Sequence, residues 1–168
     1  MIITVFGGSR PDEETYELAY QLGKRIAKKG HVLKNGGNCG TMEAASKGAS
    51  EEGGKVIGVI VDNEHIPELA KGNIYSTEVI RFSDYQRRVQ ELMKAERFIV
   101  LPGQIGTLDE FFVSWVHAVV NNLPPVIVIG QRNKELLDFL IDKGFVKSDQ
   151  HFKYVQFVES VDDIDFLR

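Results

Sequence analysis

FIVLPGQIGTLDEFFV, residues 98–113, joins one apolar run to another through a turn that holds two glycines, a threonine and two acids. Phe98–Leu101 reads as a buried strand and Leu108–Asn122 as a helix, so the stretch is a strand–turn–helix unit. A turn that only reverses the chain needs about one glycine. Gly103 and Gly106 together point to backbone that must approach something closely.

The same unit recurs in both directions. Upstream, Ile2–Phe6 is a strand broken by Gly7-Gly8-Ser9. Pro11–Lys29 follows with apolar positions at helical spacing, with Ser9, Pro11 and Asp12 as its start and Gly30 as its stop. His31–Lys34 is a short strand that leads into Asn35-Gly36-Gly37-Asn38-Cys39-Gly40. Met42–Glu52 is a helix, Val56–Val61 a strand, Asp62–Gly72 irregular and Val79–Phe82 a short strand. Asp84–Glu96 carries Tyr85, Val89, Leu92 and Met93 on one helical stripe. Downstream, Val126–Ile129 is a strand, Asn133–Lys143 a helix, Tyr154–Phe157 a last strand and Val161–Leu167 a short closing helix. Strands written as continuous Ile/Val/Phe runs belong to a parallel sheet covered on both faces. Alternating strands and helices then give a doubly wound, Rossmann-like α/β fold, three layers thick, expected as one domain over residues 1–168.

Composition narrows the class of function. The 168 residues are 43% hydrophobic and 26% charged, ordinary for a globular chain. A net charge of −4 argues against nucleic acid as the main partner. The single cysteine, Cys39, has no internal partner, which fits a reducing cytoplasm. No run approaches the ~18 apolar residues of a membrane span, and the start MIITVFGGSR is not a signal peptide. His31, His65 and His151 are too scattered for a metal set, and Cys39 has no histidine near it in sequence, so no metal or cofactor is expected.

In a doubly wound sheet, ligands gather at the carboxyl ends of the strands near the switch in strand order. Three glycine turns fall there: Gly7–Arg10, Asn35–Gly40 and Pro102–Thr107. Each precedes a helix, where unpaired N–H groups favour an anion, and Ser9 and Thr107 add hydroxyls. A phosphorylated small molecule suits the three together. Neither the dinucleotide fingerprint nor a P-loop is present.

These stretches resemble the Lonely Guy family of nucleoside 5′-monophosphate phosphoribohydrolases. LPGQIGTLDE is similar to that family's PGGxGTxxE motif, NGGNCGTMEAASKGA to its GGGxxGxMxxxxxxA segment, and FGGSR to its first loop. QRRVQELMKAERFIVLPG resembles the helix that carries an Arg-Lys pair ahead of the PGG strand. Gln104 stands where the family has its second glycine, Asn35 where it has a first glycine, Glu43 where many members have glycine, and Arg88 where lysine is usual.

The resemblance implies a Rossmann-like fold, hydrolysis of a nucleotide such as AMP or a cytokinin ribotide to free base and ribose 5-phosphate, and a homodimer or larger assembly. It places the catalytic glutamate at Glu110 and the catalytic arginine at Arg87. Phosphate and substrate contacts fall on Gly8, Ser9, Gly37, Gly40, Arg88, Gly103, Gln104, Gly106 and Thr107. Local pattern offers other readings for the two catalytic positions. Thr107 and Glu110 have capping-box spacing, and Arg87 lies opposite the Val89–Leu92–Met93 stripe with Glu91 one turn away. Apolar residues on more than one face of residues 84–96 and 108–122, among them Phe111, Phe112, Trp115 and Val119, also favour a partner subunit. A rival reading keeps the fold and the anion rim without turnover, as a binder or carrier of a nucleotide or a phosphorylated cofactor such as the molybdenum cofactor. Gln104 and Glu43 favour that rival. A pyridoxal-dependent decarboxylase is excluded, because no lysine lies in the three turns.

Overall fold

The computed structural model describes residues 1–62, 72–147 and 150–167. In chain order the elements are β1 (Ile2–Phe6), α1 (Glu13–Lys28), β2 (Val32–Asn35), α2 (Thr41–Glu51), β3 (Val56–Val61) and β4 (Glu78–Phe82). They continue with α3 (Tyr85–Leu92), β5 (Arg97–Val100), α4 (Ile105–Asn121), β6 (Val126–Ile129), α5 (Gln131–Asp142) and β7 (Val155–Val158). The closing segment is two single 3₁₀ turns, Val161–Asp163 and Asp165–Leu167, where periodicity indicated one short helix. Most of the stretch expected to be irregular after β3, residues 63–71, and with it His65, lies outside the described residues.

The seven strands form one sheet in the order β4-β3-β2-β1-β5-β6-β7, every pair parallel. β1 lies inside, with Ile3 opposite both Leu33 of β2 and Arg97 of β5. The winding therefore changes direction between β1 and β5, and a crevice opens at their carboxyl ends. Alternate residues of the same strands feed two cores. Ile3, Val5 and Ile99 pack under α1, α2 and the closing turns, whereas Phe6, Phe98 and Val100 pack under α3, α4 and α5. Runs without polar alternation are thus explained by a sheet buried on both faces.

Small residues bring α1 and α2 close together. A Cβ on Gly23 would collide with the Ala45 carbonyl, and one on Gly48 with the Tyr20 carbonyl. Two expected helix starts shift. Asp12, not Ser9, caps α1, its Oδ1 accepting from the Thr15 amide at 2.8 Å. Asp12 directly precedes the helix and its carboxylate reaches the third amide, which leaves Ser9 in the turn. α4 starts at Ile105 with Gln104 at its N-cap, so Thr107 and Glu110 lie inside the helix and form no capping box. Among the described residues no helix is long and apolar enough to cross a membrane.

Candidate functional site

Backbone hydrogen bonds tie the three glycine turns into one rim. The Gly8 amide donates to the Pro102 carbonyl at 3.1 Å, and the Gly8 carbonyl accepts from both the amide and the hydroxyl of Thr41 at 3.0 Å each. Leu101 N–H donates to Phe6 O at 2.8 Å, holding the β5 turn beside the β1 turn. Between this rim, α3 and the start of α4 lies a cavity of about 310 Å³, with Ser9, Asn38, Gln104, Gly106, Thr107 and Glu110 among its walls.

Its floor holds a buried ion pair. Arg88 Nη1 donates to Glu110 Oε1 at 2.9 Å, and Arg88 Nε donates to the Val59 carbonyl at 2.9 Å. Arg88 and Glu110 are 7% and 8% exposed. Burial pushes the Glu110 carboxyl above its ordinary range, while the Arg88 guanidinium opposes that rise. Glu110 is thus a buried, paired carboxyl rather than a solvated surface acid. Gly36 makes room for the arrangement, because a Cβ there would run into the Arg88 guanidinium.

The opposite wall suits an anion. α4 begins with no side chain bonded to its N-cap amides and no acid in its first turn. Its first backbone bond to the cap is Leu108 N–H to Gln104 O at 3.0 Å, so the amides of Ile105, Gly106 and Thr107 precede the hydrogen-bond ladder. The two glycines of the turn turn out to serve different needs. A Cβ on Gly103 would strike the Thr107 side chain, so that glycine is demanded by packing. A Cβ on Gly106 would meet nothing within 4 Å, and Gly106 faces the cavity. Of the two, only Gly106 leaves space that no atom of the described residues fills.

Not every expected contact comes together. Arg87 does not meet Glu110. Its side chain is 73% exposed and its Nε lies 3.4 Å from Asp84, because it occupies the outer face of α3, whereas Arg88 follows Tyr85 by three residues and faces inward. Gly8 lines the cavity with its amide already spent on Pro102. Gly37 is buried away from the cavity, donating to Asn35 Oδ1 at 2.8 Å, and Gly40, at φ +71°, packs against the Ser9 backbone. Gly103 bounds a neighbouring hollow instead, and Glu43 is not a wall residue of the cavity.

Three contributors escaped the sequence. Met42 and Val61 give an apolar patch, and Tyr85 forms a side wall, its hydroxyl donating to Asp109 Oδ2 at 2.6 Å. Burial, and then that bond, push the Tyr85 phenol well up, so it stays protonated. The 85, 88, 89, 92 spacing held the signal for both Tyr85 and Arg88, since these positions share one face of a helix. Cys39 is exposed at the rim, its Sγ 3.7 Å from the Ser9 carbonyl. Among the described residues no three His, Cys, Asp or Glu side chains gather as a metal site.

A parallel sheet wound in this order, with a cavity at its switch point, defines a Rossmann-like α/β protein whose site lies at the carboxyl edge of the sheet. Within that class the match is specific: the profile of the SLOG cluster4 family covers residues 1–157, and the chain belongs to that family. It is 34% identical over 134 residues to an uncharacterized protein of Archaeoglobus fulgidus, covering 79% of this chain and 86% of that one. It is 33% identical over 132 residues to the cytokinin riboside 5′-monophosphate phosphoribohydrolase of Rhodococcoides fascians, covering 75% of this chain and 66% of that enzyme, just under two thirds of its length. The resemblance to the Lonely Guy enzymes therefore holds over most of the chain. Among solved structures, the molybdenum cofactor binding protein of Rippkaea orientalis superposes with a TM-score of 0.74 at 26% identity, covering 96% of this chain and 90% of that one.

Proposed function

We propose that this protein hydrolyses the N-glycosidic bond of a nucleoside 5′-monophosphate, releasing free base and ribose 5-phosphate. The observation that carries the reading is one cavity with the uncapped start of α4 on one wall and the buried Arg88–Glu110 pair on its floor. The 5′-phosphate sits on the amides of Ile105, Gly106 and Thr107, assisted by the Ser9 and Thr107 hydroxyls. Breaking the bond leaves positive charge at the anomeric carbon, which the Glu110 carboxylate stabilises. Glu110 also takes a proton from the attacking water. As the water oxygen bonds to that carbon, the C–N bond breaks and its electron pair leaves with the base, which takes up a proton.

Arg88 is the positioning residue. It orients Glu110 and favours its ionised form, whereas the family resemblance had placed the catalytic arginine at Arg87. The relatives named phosphoribohydrolases support the reaction class. A panel of nucleotides incubated with the protein, with free base measured by chromatography, tests it. AMP should react on the order of a thousandfold faster than adenosine, because hydrogen bonds to charged groups contribute about 1.5–3 kcal/mol each. Cleavage of no monophosphate, or equal rates for AMP and adenosine, overturns the reading.

The likeness to a molybdenum cofactor binding protein favours a second reading, a carrier without turnover. Glu110→Gln separates the two. A hydrolase loses turnover while still binding product, whereas a carrier keeps its affinity and has no turnover to lose.

We also propose a homodimer. Val116 and Val120 are 62% and 75% exposed on α4, beside an apolar hollow lined by Phe112, Trp115, Val119 and Phe145. A second copy covering this face would remove it from water. Light scattering that gives a monomer mass at micromolar concentration refutes this.

A further inference from the structure

One wall residue of the cavity carries a polar group with nothing to bond. Asn38 lies in the turn after β2 and lines the cavity. Its Oδ1 is closed off from water and accepts no hydrogen bond. An unmet buried acceptor is costly, and folded proteins carry few of them. The neighbouring amides are committed. Asn35 Nδ2 donates to Met42 O at 3.0 Å and to Ser46 Oγ at 2.9 Å, while its Oδ1 accepts from the Gly37 amide. Asn73 Nδ2 donates to the Asn38 carbonyl at 3.2 Å, and the Asn73 backbone N–H to the Gly37 carbonyl at 2.6 Å.

The main chain of this turn is held, while the side-chain amide of Asn38 is not. No hydrogen bond to a described residue fixes either end of that amide, so a half-turn about its last bond exchanges oxygen and nitrogen without breaking one. Position along the rim decides which part of a nucleotide it meets. The strand order β5-β1-β2-β3 puts the end of β2 two strand spacings, about 10 Å, from the end of β5, at whose turn α4 begins. Gly36, two residues before Asn38, lies against the Arg88 guanidinium and the Met42 thioether. Asn38 therefore belongs to the end of the cavity away from the start of α4, with Met42 and Val61.

We propose that Asn38 is a specificity-determining residue that reads the edge of the base, its amide pairing with the amino group of a 6-aminopurine. The inference rests on the reading that the 5′-phosphate sits at the start of α4 and the anomeric carbon at Glu110. A base held past that carbon lies against Met42, Val61 and the Tyr85 ring, which offer apolar surface to its faces. Its polar edge then needs a partner, and the Asn38 amide is uncommitted at that end. An amide suits such an edge, its oxygen accepting from the 6-amino group and its nitrogen donating to a ring nitrogen. Neither the phosphate contacts nor the Arg88–Glu110 pair uses Asn38.

Purine riboside 5′-monophosphate, which is AMP without its 6-amino group, tests this beside AMP in the parent protein and in Asn38→Ala. The Asn38 φ is negative, so alanine fits its backbone. The ratio of kcat/KM for AMP to that for the analogue, from free base measured by chromatography, should fall about tenfold or more from parent to variant. Intrinsic differences in reactivity between the two nucleotides cancel in that comparison. Ribose 5-phosphate, which has no base, should bind parent and variant alike in calorimetry. A ratio that the substitution leaves unchanged, or a loss of ribose 5-phosphate affinity that matches the loss of AMP turnover, overturns the assignment and leaves the hydrolase reading intact. Cleavage of neither nucleotide by the parent overturns the hydrolase reading and this assignment with it.

Discussion

Replacing Arg88 by methionine takes the cation out of the buried pair and leaves the Glu110 carboxyl in a desolvated pocket. A lone buried carboxyl escapes the cost of its charge by keeping its proton. The unfolded chain ionises this glutamate near its ordinary value of about 4.3, whereas the folded variant holds the proton to higher pH. Protonation then favours the fold. Stability from this source is complete below the unfolded value and is lost as pH rises toward the folded one. The slope is about 1.4 kcal/mol per pH unit.

Between pH 5.5 and 8 the added loss has a ceiling of about 3 kcal/mol, reached when the folded value lies above 8, as it does for fully buried glutamates elsewhere. At roughly 2–4 °C per kcal/mol for a chain of this size, the variant's Tm deficit against its parent should widen by up to about 6–12 °C. Glu110→Gln behaves differently, because the Arg88 guanidinium it strands cannot release a proton at either pH. Its cost, about 3–5 kcal/mol for a broken buried pair, should not grow from pH 5.5 to 8, and shrinks to the extent that the raised Glu110 value makes the parent itself lose stability over that range. The double variant Arg88→Met/Glu110→Leu should be more stable than either single variant. Thermal and urea unfolding of the four proteins at the two pH values reads all of this. Parallel pH profiles for the two single variants, or a larger loss for Arg88→Met at pH 5.5 than at 8, would refute the buried pair.

Gly106→Ala should leave stability unchanged or raise it by up to about 1 kcal/mol, because its Cβ enters open space in a helix, yet weaken AMP binding at least tenfold. Gly103→Ala should instead cost about 1–3 kcal/mol of stability, since its Cβ meets Thr107; urea unfolding and calorimetry separate the two glycines. Lys34, 2% exposed, donates to the carbonyls of Glu91 and Lys94 at 3.0 Å each and to the Glu91 carboxylate at 3.2 Å. Lys34→Met strands those acceptors and should cost on the order of 3 kcal/mol in urea unfolding. If Glu110 works ionised, kcat/KM should fall with acid along a limb whose midpoint lies above the ordinary glutamate value, because burial raises it; a midpoint at or below about 4.3 speaks against Glu110 as the base.

The sequence by itself determined the fold class, because unbroken apolar strands such as Val56–Ile60 and Phe98–Leu101 are stable only in a sheet covered on both faces. It also determined the rim, since three glycine turns placed after strands must gather at one edge of a parallel sheet. What it left undecided was which groups meet. Arg87 and Arg88 are adjacent and chemically identical, and choosing between them requires the rotation of α3 against β3, where Val59 offers its carbonyl to Arg88 alone. Thr107 to Glu110 has the spacing of a cap, but α4 begins two residues before Thr107 and turns Glu110 inward. Gly103 and Gly106 look alike in the sequence. Only the position of the Thr107 side chain shows that one glycine is filled by packing and the other faces open space. Each of these choices depends on contacts between elements distant in the chain, and local propensity and spacing carry no information about such contacts.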